Sequence, residues 1–203
     1  MIVKFCGFKT ESDIKKIKKL EVDAVGFIHY PDSKRHVSLK QLKYLAKIVP
    51  DHIEKVVVVV NPQMSTIKRI INQTDINTIQ LHGNESIQLI RNIKKLNSKI
   101  RIIKAIPATR NLNNNIQKYK DEIDMFIIDT PSITYGSVDW KLLKKIKGVD
   151  FLIAGGLDFE KIKRLEIYSF GQCGYDISTG IESHNEKDFN KMTRILKFLK
   201  GDE

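Results

Sequence analysis

The sequence predicts a single (β/α)8 barrel, a TIM barrel, spanning residues 1–203. Eight short apolar or β-branched runs recur along the chain with amphipathic segments between them, the pattern of repeated βα units around a parallel sheet. The last residues of these runs lie 22, 32, 21, 24, 24, 25 and 23 positions apart. An open doubly wound sheet competes with this reading. It has no need of eight so evenly spaced units, and it usually carries a Gly-rich fingerprint after its first strand, which the GFKTES that follows Cys6 does not supply.

The expected strands, in order, are Ile2 to Cys6, Ala24 to Ile28, Lys55 to Val60, Thr78 to Leu81, Arg101 to Ala105, Met125 to Asp129, Phe151 to Ala154 and Tyr175 to Ile177. The unbroken valines from Val56 to Val60 suit a strand buried on both faces, by the barrel interior and by the outer helices. Between the strands, Ile14, Ile17 and Leu20 recur at three-residue steps, as do Leu39, Leu42 and Leu45, and Phe189, Met192, Leu196 and Leu199 form a last stripe. Each stripe is expected to pack on the barrel while lysines face water. A chain of 203 residues is near the lower limit for eight such units, so the loops must be short.

Composition excludes several classes. Hydrophobic residues make up 41% of the chain in short runs, and none approaches the roughly 18 apolar residues of a membrane helix. The chain opens directly on a strand pattern, so it is expected to be cytoplasmic, unprocessed and without a membrane partner. Cys6 and Cys173 have neither metal-site nor disulfide-framework spacing, so both are expected to be thiols. The formal charge is +11, but its lysines are scattered through helices and no aromatic-basic motif accompanies them, so solvated helix faces are expected and no nucleic-acid partner.

The chemistry of such a barrel lies at the C-terminal ends of its strands. Cys6 ends the first strand beside Gly7; it fits an inert core thiol, or a base whose thiolate nearby lysine and arginine stabilise. Asp129 ends the run MFIID; it fits a loop hydrogen bond, or an acid kept protonated by desolvating apolar neighbours. Arg35, in the longest inter-strand loop, is a surface charge or a two-pronged clamp for a substrate carboxylate. Gly155 and Gly156 follow the seventh strand, and Ser178, Thr179 and Gly180 follow the eighth. Either segment alone is compatible with an ordinary turn, but the pair occupies the usual phosphate position of a barrel. The five histidines show no HxxxH or HExxH spacing, so no metal site is expected.

Taken in order, VKFCGF, DAVGFIHYPDSKRHVS, VVVVVNP, TIQLHGNES, IIKAIPA, FIIDTPS, DW, LIAGGLD and GYDISTGIES resemble phosphoribosylanthranilate isomerase across essentially the whole chain. The resemblance implies a cofactor-free Amadori rearrangement of N-(5-phosphoribosyl)anthranilate to 1-(2-carboxyphenylamino)-1-deoxyribulose 5-phosphate in L-tryptophan biosynthesis. It implies a small phosphorylated substrate as partner, in a monomer or homodimer. By position it assigns Asp129 as the general acid that opens the ribose ring and Cys6 as the general base at C2. Arg35 would hold the anthranilate carboxylate and Asp176 the sugar hydroxyls, with Gln80 and His82 in substrate contact or in support of the mouth. Gly155, Gly156, Ser178, Thr179 and Gly180 would bind phosphate. One segment departs from the family: TPSITYGS leads straight into Val138, Asp139 and Trp140, where the family has a loop roughly four residues longer with a GGTG-type run.

Overall fold

The computed structural model describes residues 1–130 and 140–201; the shortened segment after Asp129, at 131–139, is outside them. Eight parallel strands close into a barrel in sequence order. They are β1 (Ile2–Cys6), β2 (Ala24–Ile28), β3 (Glu54–Val59), β4 (Thr78–Leu81), β5 (Arg101–Pro107), β6 (Met125–Asp129), β7 (Phe151–Ala154) and β8 (Gly174–Ile177). All eight coincide with expected runs; β1, β2, β4, β6 and β7 match at both ends, and only β3, β5 and β8 have shifted ends. The register of β3 on β4 stops at Val59↔Leu81, which leaves Val60 outside, and β5 continues to Pro107 because Pro107 pairs with Asp129.

Side chains alternate along each strand, and the alternation separates two cores. Ala24, Val56, Ile103, Ala105, Met125, Ile127, Leu152 and Ala154 fill the barrel interior. The intervening positions, such as Phe126, Ile128, Phe151 and Ile153, face the helix ring. The helices are α1 (Glu11–Ile17), α2 (Leu39–Ile48), α3 (Met64–Gln73), α4 (Ile87–Leu96), α5 (Leu112–Tyr119), α6 (Trp140–Leu143), α7 (Phe159–Tyr168) and α8 (Phe189–Lys200). Local chemistry fixes their starts: Thr10 with Asp13 and Ser38 with Gln41 form capping boxes, and Ser86, Asp158 and Asp188 cap α4, α7 and α8. These caps lie on the side of the barrel where the strands end.

The helical stripes hold with one exception. Ile14, Ile17, Leu42, Leu45, Met192 and Leu196 are buried, whereas Phe189 is exposed at the first position of α8, where Ile195 takes its expected share of the core. Among the described residues, no helix is long and apolar enough to cross a membrane.

Among the described residues no helical lysine is buried, as expected, but lysines on the strands are. Lys4, Lys55, Lys104 and Lys187 are buried. Lys104 points into the helix ring, where its Nζ donates to Glu85 Oε2 at 3.0 Å and to the carbonyls of Leu81, Gly83 and Ala105 at 3.2, 2.7 and 3.0 Å. Glu85 in turn accepts the N–H groups of Asn61 and Gly83 at 3.0 and 2.8 Å. Two of the carbonyls held by Lys104 flank His82, so this buried pair fixes the mouth as well as the wall. Lys104→Met would leave the Glu85 carboxylate buried without its cation. A loss of about 3–5 kcal/mol in urea unfolding is expected, against no measurable change for Lys15→Met in the exposed α1 pair with Glu11.

Candidate active site

Cys6 and Asp129 end β1 and β6 and thus stand at the same rim of the barrel. Three clusters of expected residues surround that rim.

The first cluster lies on the seam between β1 and β8. Ser178 Oγ donates to the Cys6 carbonyl at 3.1 Å, and the Lys4↔Asp176 register brings Lys4 Nζ to Asp176 Oδ1 at 2.8 Å. Burial pushes the Cys6 thiol above its ordinary value; the Lys4 ammonium works against that rise and the Asp176 carboxylate adds to it. Arg35 reaches the seam from the loop after β2. Gly7, at φ +87°, makes room for it: an added Cβ there would lie 2.5 Å from Arg35 Cδ.

The Arg35 fork is engaged. Its Nε donates to Glu182 Oε1 at 2.8 Å and its Nη2 to Glu182 Oε2 at 2.7 Å. Glu182 belongs to a hairpin of β9 (Glu182–Ser183) and β10 (Glu186–Lys187), in which Lys187 is registered opposite Glu182. The turn residues His184 and Asn185 both have positive φ, at 53° and 63°, as a tight hairpin requires. Lys187 Nζ donates to Glu182 Oε1 at 2.7 Å and to the Cys6 carbonyl at 2.6 Å. Burial acts to raise the Glu182 carboxyl, but hydrogen bonds from Arg35 and Lys187 prevail and hold it at about 2.

The second cluster contains the carboxylate. Asp129 Oδ2 lies 3.2 Å from His82 Nε2, and His82 Nδ1 lies 3.5 Å from the amide nitrogen of Gln80. Gln80 is buried in the wall, with its amide nitrogen directed at His82 Nδ1. The Asp129 side chain is 38% exposed and polar-bonded, so the apolar, desolvating surroundings expected from the sequence do not enclose it. Its backbone carbonyl accepts the N–H of Ala108 at 2.9 Å, which ties the end of β6 to the extension of β5.

The third cluster joins the loops after β7 and β8. Gly155 and Gly156 adopt φ of +106° and +58°, and Thr179 and Gly180 lie in a single 3-10 turn rather than opening an α-helix. A Cβ on Gly180 would fall 1.9 Å from the Leu157 carbonyl, so only glycine lets these loops touch. Gly156, Thr179 and Gly180 line a groove of about 440 Å³ that also receives Lys191 and Arg194 of α8.

Among the described residues, no hydrogen bond connects the Cys6 cluster with the Asp129 cluster. Sequence reasoning did not single out Lys4, Glu182 or Lys187. For Lys4 a signal existed: it sits two residues before Cys6 in an otherwise apolar strand, and hence on the same face. Glu182 and Lys187 gave none, because their meeting depends on the hairpin.

A family model described as N-(5'-phosphoribosyl)anthranilate isomerase matches residues 3–198. The chain belongs to this family of isomerases. A phosphoribosylanthranilate isomerase from Staphylococcus epidermidis is 98% identical over 207 aligned positions that cover 100% of both chains. One from Staphylococcus aureus is 50% identical over 100% of this chain and 98% of its own. The S. epidermidis alignment is four positions longer than the 203 residues here, so missing positions account for nearly all of the difference. A crystal structure of a phosphoribosylanthranilate isomerase in complex with reduced 1-(o-carboxyphenylamino)-1-deoxyribulose 5-phosphate is 28% identical, with a TM-score of 0.85 and 100% coverage of each chain.

A carboxylate held below its unfolded value stabilises the fold above that value and loses this contribution as pH falls through the folded value. Glu182, at about 2 against an ordinary 4.5, is such a group. In urea unfolding, the advantage of the parent over Glu182→Gln is expected to be complete above pH 4.5 and to vanish as pH falls to about 2. A difference that stays constant across this window would remove the carboxylate from the account.

Proposed function

We propose that the protein converts N-(5-phosphoribosyl)anthranilate to 1-(2-carboxyphenylamino)-1-deoxyribulose 5-phosphate in tryptophan biosynthesis, with Asp129 as general acid and Cys6 as general base. The observation that carries this reading is the pairing of a thiol and a carboxyl at one barrel rim, on β1 and β6, in a chain matched by the family over nearly its full length. The ligand in the related crystal structure carries a carboxyl and a phosphate. Arg35 supplies a fork for the first, and the glycines and hydroxyls of Gly155, Gly156, Ser178, Thr179 and Gly180 offer backbone and side-chain donors for the second.

Asp129, as the general acid, gives a proton to the ribose ring oxygen as the C1–O bond breaks. The nitrogen lone pair forms the C1=N bond of a protonated Schiff base. Cys6, as thiolate, takes the proton from C2, and the C2–H electrons move to form C1=C2 while the C=N electrons return to nitrogen. The enolamine then becomes the ketone by proton transfer from the C2 hydroxyl to C1. His82 keeps the Asp129 carboxyl oriented, and Asp176 faces the sugar hydroxyls with whatever bonding capacity Lys4 leaves it.

Glu182 takes the Nε and Nη2 donors on one edge of Arg35, and the guanidinium has five N–H donors, so the Nη1 side can meet the substrate carboxylate while Glu182 stays in place. A planar fork held on one edge by Glu182 favours a carboxylate of matching geometry over a point charge. Phosphate and carboxylate give the substrate two anionic groups, and the net charge of +11 favours their approach.

The test is consumption of phosphoribosylanthranilate, followed by loss of its fluorescence. Cys6→Ala and Asp129→Asn are each expected to lower kcat/KM by about 10²–10⁴, the range that general acid and base groups contribute. A parent that leaves the substrate untouched, or a Cys6→Ala variant with full activity, would overturn the assignment.

The segment between Asp129 and Trp140 yields a separate expectation. Loops that close over a reactive Schiff base exclude water and complete the site. Extending this segment by about four residues to the family's GGTG-type run is expected to raise kcat, in keeping with the role of lids in commitment. Equal kcat in the extended variant and the parent would show that the loop length is immaterial.

A further inference from the structure

Lys4 is the most deeply buried charge at the rim, with no exposed surface, inside a barrel whose apolar core is mostly alanine and isoleucine. A buried ion pair is weak evidence for stability, because an apolar pair of similar volume generally serves as well. Nor can a side chain so enclosed act as a docking cation for phosphate or carboxylate. Its surroundings point to a different task.

Lys4 and Cys6 share the inward face of β1, two residues apart. Across from them on β2 stands Gly26, where an added Cβ would lie 2.6 Å from Cys6 Sγ and 3.0 Å from Lys4 Nζ. Sulfur and ammonium thus converge on one small space, less than about 6 Å apart, the range in which an opposite charge governs ionisation. The remaining charges near Cys6 are committed elsewhere. Arg35 is held by both oxygens of Glu182, and Lys187 bonds Glu182 and the Cys6 carbonyl oxygen. Asp176 of β8 is bonded to Lys4 itself, at 2.8 Å.

We infer that Lys4 is the positioning residue of the base: its ammonium is the counter-charge of the Cys6 thiolate, and Asp176 sets how much of that charge the sulfur receives. The inference deepens the proposed function and rests on Cys6 being the base. When the thiolate takes the C2 proton, the ammonium remains paired with Asp176, so the protonated side of the step leaves no unpaired charge in this pair. Burial alone raises the thiol, Lys4 lowers it, and Asp176 raises it. The two neighbours therefore act with opposite signs, which packing alone does not produce.

The experiment follows thiolate ultraviolet absorbance against pH in a Cys173→Ser background, which leaves one thiol, together with the pH profile of kcat/KM. Lys4→Met is expected to move the Cys6 midpoint upward by about one to three pH units, cutting the thiolate at a given pH about tenfold or more. Lys4→Arg should stay near the parent. Asp176→Asn should move the midpoint down, and the acid limb of kcat/KM should move with it. Should Lys4→Met fail to fold with Asp176 unpaired, Lys4→Met with Asp176→Asn removes both charges, and its midpoint is expected above the parent's. The absorbance reading needs no turnover, so an inactive parent counts against the proposed function alone. An unchanged midpoint in the folded Lys4 variant, or movement of the Lys4 and Asp176 variants in the same direction, overturns the role of Lys4.

Discussion

The seam where β8 returns to β1 is the constraint on which the site depends. It pairs Ile2 with Gly174, Val3 with Tyr175, Lys4 with Asp176 and Phe5 with Ile177, and it completes a sheet that would otherwise have two open edges. Closure juxtaposes residues some 170 positions apart, as in the bonds from Lys4 to Asp176 and from Ser178 to the Cys6 carbonyl. Lys187 and Glu182 arrive just beyond the same seam on their hairpin, and Arg35 leans on Glu182 from the neighbouring loop. Slippage of β8 by one residue would turn Asp176 away from Lys4, since alternate residues face opposite sides. The Cys6 cluster is therefore a direct product of barrel register.

The fold was legible because burial on both faces leaves its mark on composition. A strand such as Val56–Val59 has no solvent face to diversify it, and helices with one wet side carry the complementary stripe. Strand ends were legible for the same reason, since a cysteine or aspartate that closes an apolar run marks where the sheet meets solvent. What the pattern does not encode is partnership. Arg35 reads as a free fork in the sequence, and only the β9–β10 hairpin, with its two positive-φ residues, reveals that Glu182 already takes one edge of it. The desolvation expected at Asp129 failed for a similar reason: the apolar residues before it alternate into the wall and the helix ring, and the carboxyl itself emerges toward His82.

Charge gives the sharper lesson. A high lysine content spread over helices describes the surface correctly in bulk, yet buried lysines carry much of the structural specificity. Lys104 gathers the carbonyls on either side of His82 together with Glu85, Lys187 gathers the Cys6 carbonyl with Glu182, and Lys4 is matched to Asp176. An ammonium has three donors and no acceptor, so in a dry interior it must collect carbonyls and one carboxylate to be tolerated. Such collection points stiffen the loops that bear them. The sequence cue is faint, a lysine inside an apolar strand or beyond its end, and composition averages it away.

The two halves of the site are consequently built differently. Around Cys6, each cation meets an anion within the protein, Arg35 and Lys187 at Glu182 and Lys4 at Asp176, so the resting site is nearly charge-balanced. Three cations against two carboxylates leave one positive charge in excess, which a substrate anion can meet without displacing these partners. Around Asp129 the support is slighter: one long bond to His82, itself steadied by Gln80, and a backbone tie to Ala108. A base held by buried ion pairs and an acid on an open rim fit the order of the proposed chemistry. Ring opening needs a carboxyl that can be reprotonated from solvent between turnovers, whereas abstraction at C2 needs a thiolate whose charge is compensated before the substrate arrives.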